Sequence, residues 1–567
     1  MKKTARRSAE YNSVKEMITE QARLYGDRVI FSYRNKPSDE EKVNITFDDL
    51  VEDVRELGTE LISMGAVGKH CAVIGKLTYN WIRTYLSMLS VGAVIVPLDR
   101  DWTAEELATT VDFADCEYVF FDSDIEKKIT PMMNGENSRI KGFYCLDEKS
   151  EHTSLSSLCE HGRLSAENGD TSFDDCEVNV FDVAKIVFTS GTTGKGKGVM
   201  LTHKNLLSDL ACAVEYIADQ CGNKSIAVLP PHHTYGSTIN ILGHICIPAE
   251  LYLSSGLRYI VKELKAEKPT HLVLVPLYLE TFYRKIWATV KERGMEKMIR
   301  NMMKASDAMR ARGIDLRRKM FSSVLSSFGG NLHTVVSGGA PLSDDILDAF
   351  ESWGITVLNG YGITECSPLI SVNTVEHKNK GSVGVAIRVD DVYIAEKNED
   401  GEGEIRVKGP NVMKGYYKNP EATAEAFDEN GYFRTGDYGK MDENRVIYIT
   451  GRLKNLIILA KGKNVYPEEI ETALCATPGV LEIIVYEGES KKGPENNVIV
   501  AEIFPDKEYF EKNGIEDVKE YMKRAVDEYN RTATPYKKIG LIKIRTEEFP
   551  KNTLRKIQRF KLNRSID

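Results

Sequence analysis

The sequence predicts an α/β protein with a large N-terminal domain of packed α/β sheets and a small α+β C-terminal domain. Three observations carry this. The chain of 567 residues is too long for one core. Short β-branched runs alternate with amphipathic helical stretches for most of its length. That rhythm breaks near Gly451, which suggests domains at 1–450 and 451–567.

The strand candidates are "CAVIGK" (71–76), "GAVIVPL" (92–98), "CEYVFFD" (116–122) and "AKIVFTS" (184–190). Their flanks are free of polar alternation, as expected for strands buried on both faces of a largely parallel sheet. "WIRTYLSMLSV" (81–91) and "TAEELATTVDFA" (103–114) read as the intervening helices. The stretch 284–319 is helical, rich in Met and strongly basic. A solvated insertion is its expected state, and a contact surface for anionic lipid or an acidic carrier protein is the alternative. After 451, helix 518–530 and strand segment "KKIGLIKIRT" give the small domain its mixed character.

Composition excludes several classes. With 42% hydrophobic and 28% charged residues the chain is an ordinary globular protein. A net charge of −9 makes nucleic acid an improbable partner. The longest apolar run, 85–98, is too short and too broken to span a bilayer. The ten cysteines contain no C-x-x-C pair, so neither zinc nor a disulfide framework is indicated. Reduced thiols and a start that lacks a signal-like apolar region point to the cytoplasm, with at most a peripheral contact at a membrane.

Chemistry concentrates in "FTSGTTGKGKGV" (188–199), where a strand runs into a loop of small residues. Thr189, Ser190, Thr192 and Thr193 offer hydroxyls, Gly191 and Gly194 permit close backbone approach, and Lys195 and Lys197 add charge. Together they suit a polyphosphate. The segment also fits G-x-x-x-x-G-K, but that motif closes on Ser or Thr, and here Gly198 follows. A P-loop hydrolase is therefore the poorer reading.

T-S-G-T-T-G-x-x-K-G resembles the signature of the adenylate-forming superfamily of acyl- and aryl-CoA ligases, luciferases and adenylation domains. The chain departs from it at Gly196, where Pro is usual. Further segments resemble the family in order along the chain. "LPPHHTYG" (229–236) resembles the stretch whose His lines the acyl pocket, which selects His233 and leaves His232 as a packed residue. "VVSGGAPL" (335–342) and "NGYGITECSPLI" (359–370) resemble the adenine and magnesium segments. The resemblance implies that Gly338, Gly339, Ala340, Asn359, Gly360 and Tyr361 surround the adenine, that Thr364 meets phosphate, and that Glu365 holds Mg²⁺. "YFRTGDYG" (432–439) implies Asp437 at the ribose hydroxyls. "TGRLKN" (450–455) implies Arg452 at the nucleotide and Lys454 as hinge. "FPKNTLRKIQR" (549–559) departs from the family at Asn552 and Arg555, while Lys556 keeps the catalytic position and Lys551 and Arg555 are rival phosphate contacts.

The resemblance implies a mobile C-terminal domain and a two-step ligase using ATP, Mg²⁺ and coenzyme A. The expected acid is a long-chain fatty acid, since "YGITECSPLISVN" and the helical insertion resemble bacterial long-chain fatty-acid ligases. An acyl carrier protein as acceptor, or an aryl or medium-chain acid, are the alternatives. A non-catalytic lipid- or carrier-binding scaffold is the alternative outside enzymes.

Overall fold

The computed structural model describes residues 11–133, 139–189, 196–217, 222–458, 464–475, 477–491, 493, 496–551 and 557–566. The chain divides into two compact units. One comprises Met1–Asp391 with Val407–Phe433, and the other Val392–Arg406 with Arg434–Asp567.

In the large unit, all four strand candidates enter one seven-stranded sheet. Its order is Gly415–Tyr416, Lys197–Thr202, Val183–Thr189, Val94–Leu98, His70–Ile74, Cys116–Phe121 and Gly142–Cys145. The central pairings are parallel, as continuous apolar strands require. The helices between them start where their sequences say. Thr78 caps Tyr79–Val91 through the amide of Trp81, and Gly92 ends that helix in the left-handed region at φ 73°. Thr103 and Glu106 form a reciprocal capping box on Ala104–Phe113.

A four-stranded sheet (Val43–Thr46, Val29–Tyr33, Glu250–Leu253, Lys224–Ala227) and a five-stranded sheet complete the unit. In the latter, His271–Leu274, Thr334–Gly338 and Thr356–Gly362 are parallel, and two antiparallel strands follow.

The basic stretch 284–319 is solvated along most of its residues, as expected, but one face of it is anchored in the core. It forms the end of Pro276–Glu292, then Glu296–Arg310 and Arg317–Met320. Val290 and Ile299 are buried in the core with Phe350 and Trp353, and Met295, Met302, Met303 and Met320 pack against it. Two of its arginines serve the fold. Arg317 donates to the carbonyl of Glu351 at 2.8 Å, and Arg318 to those of Leu332 at 2.7 Å and Gly330 at 2.8 Å. The cations Lys297, Arg300 and Lys304 remain on the exposed face.

The smaller unit holds a four-stranded sheet (Asp391–Ala395, Gly403–Lys408, Phe433–Met441, Ile447–Arg452) and a three-stranded sheet (Val480–Gly488, Val498–Pro505, Leu541–Ile544). Ile470, Leu474, Val485, Ile499 and Val526 form its core with helices Pro467–Cys475 and Val518–Thr532. Gly451 lies within the strand Ile447–Arg452, and the compact units change over at 391, 406 and 433. The turn signal at 442–445 is a hairpin, with Asp442 accepting the amides of Asn444 and Val446 at 2.9 Å. Tyr438 of that hairpin stacks on Tyr466 at 5.0 Å.

Among the described cysteines Cys475 alone is exposed, Cys176 is half-buried and the rest are buried. Among the described residues no helix is long and apolar enough to cross a membrane.

Candidate active site

The phosphate-loop segment is described at its two ends. Thr189 closes the strand Val183–Thr189 and pairs with Lys197, which opens the returning strand. The Thr189 hydroxyl donates to the Lys197 carbonyl at 3.4 Å. Ser190, Gly191, Thr192, Thr193, Gly194 and Lys195 lie outside the described residues. Gly196 has a steric reason for being there, since a Cβ at this position would stand 2.8 Å from the carbonyl oxygen of Thr189.

The edge strand beside the returning one, Gly415–Tyr416, carries a residue that sequence reasoning missed. Tyr416 pairs with Val199 at the sheet edge, and its hydroxyl donates to Oε1 of Glu365 at 3.0 Å. Its ring lies under the Lys197 ammonium at 4.6 Å. Burial, and then the Glu365 carboxylate, push the Tyr416 phenol well up, so it stays a donor. Glu365 sits in a short 3₁₀ turn, Thr364–Cys366, whose backbone is tied at Glu365 by the amide of Met413 at 2.8 Å. Thr364 and Glu365 are half-buried. The one available signal for Tyr416 was the aromatic pair 416–417 between Gly415 and Lys418.

Among the described residues no group of three or more His, Cys, Asp or Glu could hold a metal. The donor set at Glu365 nonetheless fits magnesium. That ion takes one or two carboxylates and completes its shell with phosphate oxygens and water. Tyr416 engages one carboxylate oxygen of Glu365, and a carboxylate has lone pairs for more than one partner.

The two segments expected at the adenine lie side by side. Ser337 pairs with Asn359 and Gly338 with Gly360, at the C-terminal ends of neighbouring parallel strands. Ligands of open α/β sheets bind at such ends. A Cβ at Gly338 would meet the Tyr235 ring at 3.3 Å, and Gly339 has φ +90°, where a side chain is strained. Ala340 is exposed, Asn359 half-buried and Tyr361 buried.

Tyr235 anchors the neighbouring segment by donating to the carbonyls of Leu274 and Val336, each at 3.2 Å. It opens Tyr235–Leu242, a run of π-helix, a conformation that is rare and frequent at functional sites. His233 lies two residues before this run and is half-buried. His232 is buried with its Nε2 3.7 Å from Asp99. Burial pushes the His232 imidazole down against the pull of Asp99.

In the smaller unit, Asp437 and Arg452 are cross-strand partners joined by an ion pair at 2.7 Å. Asp437 is buried, and the Arg452 guanidinium is half in solvent. Lys454 is exposed in the 3₁₀ turn Leu453–Asn455. Lys551 is already engaged by Glu482 and, at 2.9 Å, by Glu548. Arg559 grips Glu471 with both carboxylate oxygens, at 2.6 and 2.5 Å. Asn552, Arg555 and Lys556 lie outside the described residues.

Comparison with known proteins agrees with this layout. The family model for "AMP-binding enzyme" matches residues 18–417. The long-chain-fatty-acid–[acyl-carrier-protein] ligase AEE15 of Arabidopsis thaliana is 27% identical, over 92% of this chain and 80% of that protein. Long-chain-fatty-acid–CoA ligase 5 of Rattus norvegicus is 29% identical, over 82% and 71% respectively. Among solved structures, ATP-bound MatB from Rhodopseudomonas palustris shares the fold with a TM-score of 0.73 at 23% identity, covering 95% of this chain and 97% of that one. With the phosphate strand, the paired glycine strands and the Tyr416–Glu365 contact falling within the matched span, the chain belongs to the AMP-binding enzyme family.

Proposed function

We propose that the protein activates a long-chain fatty acid with ATP, releasing pyrophosphate to form an acyl-adenylate, and then transfers the acyl group to the thiol of coenzyme A. The observation that carries this reading is the Tyr416–Glu365–Lys197 arrangement. It sets a carboxylate and an ammonium around one phenol at the exit of the phosphate loop. The likeness to long-chain-fatty-acid–CoA ligases supports the choice of acid.

In the first step a carboxylate oxygen attacks the α-phosphorus, and the bond to the pyrophosphate oxygen breaks. Negative charge on the phosphoryl oxygens then needs donors already in place. Thr189, Ser190, Thr192, Thr193, Lys195 and Lys197 would cradle the β- and γ-phosphates with Gly191 and Gly194 as backbone donors. Thr364 would donate to the α-phosphate. Glu365, oriented by Tyr416, would hold the magnesium, which when bound neutralises phosphate charge.

Gly338, Gly339, Ala340, Asn359, Gly360 and Tyr361 would receive the adenine, and His233 would border the acyl chain. Asp437, paired with Arg452, would accept the ribose hydroxyls. Lys556 would donate to the reacting phosphate in this first step. A turn about Lys454, moving the small C-terminal domain, would withdraw Lys556 for the thioester step.

A second acceptor, the phosphopantetheine thiol of an acyl carrier protein, is favoured by the likeness to the Arabidopsis carrier-protein ligase. Peripheral contact with an acidic surface would use the exposed cations Lys297, Arg300 and Lys304.

Carboxylate-dependent ATP–pyrophosphate exchange over acids from acetate to palmitate, with aryl acids included, tests the reading. Exchange is expected to be strongest with the long alkyl acids. Exchange driven by none of them overturns it. Supplying coenzyme A or acyl carrier protein to the same enzyme decides the acceptor.

A further inference from the structure

The strand that ends at Thr189 has a lysine in its buried middle. Lys185 is fully buried, between Ala184 and Ile186, which are also buried. Its Nζ donates to Oγ of Ser237 at 3.1 Å and to Oγ1 of Thr238 at 2.9 Å. Both hydroxyls belong to the π-helical run. Ser237 passes the contact on, because its own hydroxyl donates to the carbonyl of His233 at 3.0 Å and its amide to the same carbonyl at 2.9 Å. An unbroken line of hydrogen bonds therefore runs from the phosphate strand to the peptide of His233.

The surroundings make this lysine expensive. Burial pushes its ammonium down to about 7, while the carboxylate of Asp209, also fully buried, pulls the other way. The ring of Tyr85 lies 5.9 Å from Nζ. Apolar side chains of similar volume commonly replace buried charges without loss of stability, and the neighbours of Lys185 from Val183 to Phe188 are apolar. A protonated lysine has three donors and a neutral amine two. Its two hydroxyl acceptors are thus served in either protonation state, and the link does not depend on charge.

We infer that Lys185 is a positioning residue, which through Ser237 fixes the His233 turn relative to the phosphate strand and so aligns the acyl carboxylate with the α-phosphorus. This rests on the acyl-adenylate reading given above. Small displacements of reacting groups are costly in such reactions, and the His233 carbonyl receives both the hydroxyl and the amide of Ser237.

The test uses the full chain in ATP–pyrophosphate exchange with palmitate. Lys185→Met keeps the stem and removes the donors, and Ser237→Ala cuts the next link. Each is expected to raise the KM for palmitate about tenfold, the worth of one aligned hydrogen bond, with the KM for ATP moving less than about twofold. The double variant should be no worse than the poorer single one, because both cut the same line. Unchanged palmitate KM in both variants, additive effects, or an equal rise in the ATP KM overturns the inference. Should Lys185→Met fail to fold, Ser237→Ala alone decides by the same readout. Wild-type protein without carboxylate-dependent exchange overturns the functional reading and this inference together. Exchange in the wild type with an unchanged palmitate KM in the variants overturns the inference alone.

Discussion

Tyr416 reaches across 51 positions of sequence to donate its hydroxyl proton to Glu365 at 3.0 Å. The strand pairing of Tyr416 with Val199 joins that contact to the returning arm of the phosphate loop. The carboxylate assigned to magnesium and the loop assigned to the phosphates are thus held by one side chain.

Replacing Tyr416 by Phe keeps the ring under Lys197 and removes only the hydroxyl. Exchange activity is expected to fall about tenfold, the usual worth of a hydrogen bond to a charged group, with half-saturation shifted to higher Mg²⁺. A magnesium titration of the exchange reaction measures both. An unchanged magnesium requirement would separate Tyr416 from the metal.

Gly196 occupies the place where the family usually has Pro, and the backbone of Thr189 explains why a side chain is unwelcome here. A Cβ would stand 2.8 Å from that carbonyl oxygen. Gly196→Ala should force the two arms of the loop apart, at a cost of about 1–3 kcal/mol for an overpacked contact. The expected signature is a raised KM for ATP in exchange, with the KM for the acid little altered.

Lys556→Ala should lower adenylate formation by on the order of 10²–10³, as loss of one charge-stabilising donor does. Thioester formation from supplied acyl-AMP should survive. Measuring the two half-reactions separately checks this, and unimpaired exchange would remove Lys556 from the first step.

Acid stability should depend on Glu267, which receives Lys224 at 2.8 Å, Arg34 at 2.7 Å and Lys42 at 3.0 Å. Burial raises its carboxyl, but hydrogen bonds from these three cations outweigh it and bring the group from 4.5 down to about 2. A depressed carboxyl stabilises the fold above its unfolded value and loses that contribution as pH falls toward the folded one. Thermal unfolding between pH 4.5 and 2 should therefore steepen in the wild type. Glu267→Gln should flatten that limb and lower the melting temperature at neutral pH.

What the sequence disclosed was local, and what it hid was long-range. The strands at 71–76 and 116–122 were legible because a run of apolar, β-branched residues admits few other states. The helices at 81–91 and 103–114 were legible too, and the structure adds the caps Thr78 and Thr103 at their starts. Counting charges in 284–319 obscured the periodicity of Ile299, Met302, Met303 and Ser306, which repeats at helical spacing and faces the core. Tyr416 stayed hidden because its partner is remote in sequence. The importance of Lys185 stayed hidden because an apolar strand absorbs one lysine without changing its pattern. The register of Gly338 on Gly360 is a property of strand pairing, which no local signal encodes.

That paired register has a chemical meaning of its own. Where Gly338 and Gly360 run abreast, neither strand adds a side chain to that rung, and the Tyr235 ring stands 3.3 Å from where a Cβ of Gly338 would be. A base laid on that rung would be recognised by the edges of the main chain. Such recognition cannot be retuned by exchanging one residue for another; a changed preference between purines would require the strands themselves to shift.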